Sequence, residues 1–231
     1  MRATRDVPFL ETGSPTLPHT YVGGDPSIDF VNTVDWTARG LADERLDGYA
    51  RLTHWAEGAG VVPPPLGAAL RDLARARPDA AGEALAAAHA VRGVLQRVFA
   101  AAATGEPLGA PLAALDPSLA ATARHRCLEP VADAAAEGAA HGAAARWAWR
   151  DAGANLESPL WPVVWHAAEL LASGEAARIR VCGAVDCGWM YVDRSRNGLR
   201  RWCQMEVCGT RAKSRRRADR LRTAQPGRPA P

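Results

Sequence analysis

Apolar positions spaced three and four residues apart dominate the chain from about Tyr21 onward, and they predict helices. Tyr49, Leu52, Trp55 and Ala56 mark a first helix, with Asp47 as its cap and Gly58-Ala-Gly60 before three prolines as its end. A second short helix fits Leu66 to Ala76. A third, from about Ala80 to Thr104, is predicted as the central core helix, with Leu85, Ala88, Val91, Leu95, Val98, Phe99 and Ala102 on one face and Gly105 after it. Between Pro107 and Leu119 the prolines leave room for at most a short helix. Arg126–Val131 and Arg146–Arg150 read as two short strands around an Ala/Gly loop. Ser158 is expected to cap a helix with Pro159 at its first position. Its stripe is Leu160, Val163, Val164, Ala167, Leu170 and Leu171, and Gly174 closes it.

The period changes in the last quarter. Gly188–Asp193 alternates like a strand, Asn197-Gly198 signals a tight turn, and Leu199–Trp202 reads as the returning strand. From Met205 to Arg222 the text is helical but carries no apolar stripe. The predicted fold class is therefore mainly α. A multihelical N-terminal domain with a small β-hairpin spans 21–175, followed by a small module of hairpin and helix over 178–222. Residues 1–20 and 223–231 are expected to be disordered.

Composition fits this outline: 231 residues, 48% hydrophobic and 23% charged, form one principal domain with an appendage. No apolar run reaches the roughly 18–20 residues of a membrane span, and Met1–Thr20 lacks the apolar centre of a secretory signal, so a cytoplasmic protein is expected. Net charge is only +3, but it is unevenly spread: Arg178–Pro231 holds 14 Lys/Arg against four acids, +10, leaving −7 for the rest. A basic end of this kind seeks a polyanion.

Four of the five cysteines lie within 27 residues, as Cys182-x4-Cys187 and Cys203-x4-Cys208. In a reduced compartment, two equal pairs bracketing a hairpin-like text match a closed tetrahedral site for one structural Zn²⁺. The module has too few bulky apolar residues for a core of its own, so metal binding has to supply folding energy. Cys208 would sit near the N-terminus of the basic helix, giving a treble-clef-like finger. Its cations Arg211, Lys213, Arg215, Arg216, Arg217 and Arg220, with Arg194, Arg196, Arg200 and Arg201 on the hairpin, suit phosphates and guanine edges. The bland alternative is a solvated face, or one paired with the acidic N-terminal domain.

The text Cys182-x4-Cys187-Gly-Trp, Asp193-Arg-Ser-Arg-Asn-Gly, Arg201-Trp-Cys203-x-Met205 and Cys208-Gly-Thr-Arg211-x-Lys213 resembles the CGNR zinc finger of bacterial regulators. Upstream, Ile28-Asp-Phe-Val-Asn-Thr33, Leu52–Gly60 and Pro159–Leu171 resemble the ABATE domain that accompanies this finger in stress-induced transcription regulators. The resemblance implies a helical regulatory domain, for ligand sensing or homodimerisation, joined to a DNA-binding finger. The alternative is a zinc-finger protein-interaction module that does not touch DNA. Thr210 stands where the family motif has Asn, and a threonine there can cap the helix.

His166 and Cys127 read as packing residues, and Asp29, Asn32 and Thr33 as helix caps ahead of pocket-lining groups. The sequence contains no P-loop, Gly-x-Ser-x-Gly, His-Glu-x-x-His or dinucleotide glycine fingerprint, so no enzyme is expected.

Overall fold

The computed structural model describes residues 19–37, 40–131 and 145–224. In chain order the helices are α1 (Pro26–Val31), α2 (Tyr49–Gly58), α3 (Pro64–Ala76), α4 (Pro78–Thr104), α5 (Gly109–Ala123), α6 (Leu160–Ala172) and α7 (Thr210–Ala224). Three two-stranded antiparallel ladders join them: β1 (Val34–Thr37) with β2 (Gly40–Glu44), β3 (Arg126–Pro130) with β4 (Ala145–Trp149), and β5 (Ile179–Val181) with β6 (Met190–Val192). Among the described residues no helix is long and apolar enough to cross a membrane. The expected disordered ends and the Ala/Gly loop lie mostly outside the described residues. Of the rest, His19 is buried and Thr223 is still helical.

Helix α4 is the central element, as its period predicts, and ends at Gly105, whose φ of 76° is the left-handed cap that glycine adopts without cost. Its buried face keeps Ala88, Leu95, Val98 and Phe99 of the predicted stripe and is turned slightly, leaving Leu85, Val91 and Ala102 partly buried. Ala81, Ala84, Ala88, Leu95, Val98 and Phe99 are buried, and Arg92, 3% exposed, faces inward while Val91 lies at the edge. Arg92 goes inside because its charge is met there: Nη1 donates to Thr33 Oγ1 at 2.9 Å and Glu44 Oε1 at 2.8 Å, and Nη2 to Glu44 Oε2.

Several boundaries depart from expectation for local reasons. α5 runs 15 residues, longer than the short helix its prolines predict; Pro117 lies inside it and withholds one backbone donor without ending it. Ser158 does not cap α6: its hydroxyl donates to the Ala152 carbonyl at 2.7 Å, and Pro159 is the cap residue. Asp47 does not cap α2, whose cap residue is Gly48. Leu199–Trp202 is not a strand. The partner of β6 is β5, before the first cysteine pair, and the Asn197-Gly198 turn closes a loop instead, with Asp193 accepting from the backbone N–H groups of Ser195 (2.9 Å) and Arg200 (3.1 Å).

The two parts of the chain meet on β6. Ile179, Met190 and Val192 belong to the same buried cluster as Ile28, Phe30, Leu95 and Phe99. One edge of β6 pairs with β5. On the other edge the Asn32 side chain acts as a short strand: Nδ2 donates to the Met190 carbonyl at 2.8 Å, and Oδ1 accepts from the Met190 N–H at 2.9 Å. The Val192 N–H donates to the Gly23 carbonyl at 2.8 Å, continuing the edge. Nearby, Trp189 Nε1 donates to Asp35 at 2.9 Å, and Arg45 bonds the same carboxylate at 3.1 Å while covering the Trp189 ring. Asp29, Asn32 and Thr33 are thus engaged in bonds within the chain. Asp29 accepts from the Gly23 N–H at 2.7 Å, and Thr33 donates to the Phe30 carbonyl. Burial pushes the Asp29 pKa up to about 7, with Asp25 adding to the shift and backbone donors at Gly23 and Val22 opposing it.

Two predictions follow from this junction. Asn32→Ala leaves both backbone groups of Met190 buried without partners and should cost about 2–5 kcal/mol in urea unfolding of the zinc-loaded chain; a loss below about 0.5 kcal/mol would contradict the clip. Asp29 holds its proton more tightly when folded than when unfolded, so its contribution to stability is greatest at low pH and is lost as pH rises from about 4 to about 7. Asp29→Asn keeps the acceptor without the charge. Its stability relative to the parent should rise across that window, and a gap that does not change with pH would refute the assignment.

Candidate metal centre and basic helix

The first cysteine pair sits on the turn between β5 and β6. Cys182 extends the ladder, its N–H donating to the Trp189 carbonyl at 2.7 Å, and the Cys187 N–H turns back to Ala184 at 3.3 Å. Gly188 follows with φ of 68°, a conformation that side chains resist and that the Cys-Gly pair supplies. The second pair brackets the approach to α7. Cys203 precedes a π-type turn over Met205–Gly209, and Cys208 lies within that turn, just before α7 begins. Gly209 lies close to Met205, whose Sδ would fall 2.4 Å from a Cβ there and would have to shift for any larger residue.

These two turns bring the four thiols together: all Sγ atoms lie within 4.8 Å of one another. Cys187–Cys203, Cys203–Cys208 and Cys208–Cys187 are 3.6, 3.5 and 3.7 Å apart. A disulfide needs about 2.05 Å, so no pair is oxidised. A tetrahedron with Zn–S bonds of about 2.3 Å has edges near 3.8 Å, so the set fits the ion with little rearrangement. Protonation tells the same story. Hydrogen bonds from Cys187 and Cys203 hold Cys182 down to about 2, and the same contacts push Cys187 up to about 12 and Cys203 higher still. The Cys182 thiolate is what keeps Cys187 and Cys203 protonated, and a divalent ion would offset its charge so that its neighbours can ionise too. The centre holds one structural zinc, and four protein ligands leave no open position on it.

The predicted cations separate into two groups. Arg194 and Arg200 are used within the chain. Arg194 pairs with Glu175 at 2.6 Å and also bonds the Gly24 carbonyl. Arg200 lies 4.1 Å over the Tyr191 ring and donates to the carbonyls of Trp202 (3.0 Å), Val22 (3.0 Å) and Cys203 (2.5 Å), bracing the second cysteine pair. The others face outward. Arg196 and Arg201 are exposed, Arg201 lying over Trp202. On α7, Arg215 reaches Asp186 on the first turn at 3.7 Å. Among the described residues, no ion pair or side-chain hydrogen bond holds Arg211, Lys213, Arg216, Arg217 or Arg220. Thr210 does not cap the helix by its side chain; its hydroxyl reaches back to the Met205 carbonyl at 3.4 Å.

Sequence profiles of known families match both parts. The CGNR zinc finger matches residues 178–221, and ABATE, described as "Putative stress-induced transcription regulator", matches residues 24–174. The chain belongs to the ABATE family. No curated relative matches it. The ABATE segment Ile28–Thr33 is the stretch that grips β6. Reading from the sequence missed this role because Asp29 and Asn32 looked like helix caps. The available signal was an amide and a carboxylate set among Ile28, Phe30 and Val31, all of them fully buried. His166 is half exposed on α6, 3.9 Å from Glu169, and Cys127 is half-buried and free.

One zinc per chain should be measured by elemental analysis of reduced protein. Cys203→Ser should bring it below about 0.1 per chain, because a hydroxyl is a far poorer ligand than a thiolate for this ion. Full zinc retention in that variant would contradict the four-sulfur site.

Proposed function

We propose that this ABATE-family protein is a DNA-binding regulator whose finger grips the duplex through α7, with the helical part as its regulatory half. The observation that carries the reading is the row of cations on α7 that the chain itself does not pair. The zinc centre fixes the root of the helix, which projects as 15 residues, about 22 Å, long enough to lie along one stretch of the major groove. Lys213, Arg217 and Arg220 are exposed along α7, while Arg211, Arg215 and Arg216 share with Arg201 the groove against the first cysteine turn. Guanidinium groups so placed neutralise phosphates and release counterions. Arg194 and Arg200 contribute by holding the finger in place.

A second reading, docking to a protein, has support in Met205 and Val207, which are 54% and 46% exposed at the root of α7 beside the basic surface. Gel shifts separate the two. The zinc-loaded chain should retain duplex DNA with a log K against log salt slope of about −4.5 for about five phosphate contacts, and Arg216→Ala with Arg217→Ala should flatten it by about two. Retention that does not vary with salt, or none on any duplex, would refute the DNA reading and favour the protein partner.

A further inference from the structure

A cleft of about 680 Å³ lies far from the cysteines in sequence, between α2, α3 and α4. Its size falls within the roughly 300–1,000 Å³ of small-molecule sites. The walls are apolar: Tyr49 from α2, Ala68 from α3, and Ala81, Gly82 and Leu85 from α4. Three helices that pack on one another would ordinarily fill such a space, since protein interiors approach crystal density. Gly82 leaves one wall without a side chain. It stands inside a 27-residue helix, where glycine costs about 1 kcal/mol relative to alanine, yet a Cβ built on it meets nothing within 4 Å. The wall at Gly82 therefore has open room that a side chain would enter.

The rim gives the chemistry. Arg71 is fixed by its Nη1, which donates to Glu57 at 2.6 Å and to Thr53 at 3.3 Å. A guanidinium has five N–H donors and no acceptor, so Arg71 keeps donors beyond those two bonds. Arg75 adds a second guanidinium at the same rim, beside Asp72. Apolar walls under guanidinium donors fit a molecule with an apolar body and a single anionic acceptor group. We infer that the cleft between α2, α3 and α4 is a binding site for a small amphipathic anion of the aromatic- or fatty-carboxylate class. The inference rests on the helical domain being the regulatory half and not on DNA contact.

The test uses the full zinc-loaded chain and the fluorophore 8-anilinonaphthalene-1-sulfonate, an aromatic body with one anionic group. Emission should titrate to one saturable site, displaced by decanoate at concentrations at least tenfold below those needed for decanol. Gly82→Leu fills the cleft and improves helix propensity; it should weaken the probe at least tenfold while leaving the thermal midpoint no lower. Non-saturable emission, or unchanged affinity in Gly82→Leu, would overturn the site. Equal displacement by decanol would overturn the anionic class. Gel-shift behaviour of the same preparations reads the DNA proposal separately, so either can fail alone.

Discussion

The structure depends on one strand of three residues being held from both sides. Met190, Tyr191 and Val192 pair with β5 through one edge and with the Asn32 amide and the Gly23 backbone through the other. Because β6 also carries Met190 and Val192 into the main core, the finger is not a bead on a linker. Its hydrophobic support comes from the helical domain, and the metal secures what that support leaves open. This division explains how so small a module can hold a helix whose own residues bury almost nothing.

From that strand, order spreads in two directions. Toward the C-terminus, Tyr191 carries the Arg200 guanidinium, which binds the carbonyls flanking Cys203, so the second ligand pair is placed by the same strand that follows the first. Toward the N-terminal domain, Asn32 is continuous with Thr33, and Thr33 with Arg92, a buried polar chain running from β6 to the middle of α4 that ends at the surface on Glu44. Such a network is costly when only partly satisfied, which favours a single docking arrangement.

Much of this was legible in the residues. The cysteine spacing gave the metal centre because thiolate chemistry tolerates few alternatives, and the periods of α2, α4 and α6 marked core helices because an amphipathic stripe has to be buried. What was not legible depended on partners distant in sequence. The expected return strand Leu199–Trp202 lost to β5, because β5 lies at the end of the helical domain where β6 also finds core contacts. The burial of Arg92 beside Val91 has no local signal, since nothing nearby in the chain announces Glu44. Arg194 and Arg200 looked like their neighbours in a basic run, and only their contacts with Glu175, Gly24, Tyr191 and Val22 set them apart. Periodicity reports which face is apolar; it does not report which charge is answered from 50 residues away.

The central claim is that the metal-closed finger and the helical domain share β6 as one cooperative unit. Hydrogen exchange of the full chain, with zinc bound and after its removal by a chelator, tests it most directly. If the claim holds, stripping the metal will deprotect the amides of Met190 and Val192 and, with them, the amide of Gly23 and those of the α1 segment that grips the strand. Loss of protection confined to the stretch from Cys182 to Cys208, with Gly23 and α1 unchanged, would contradict it.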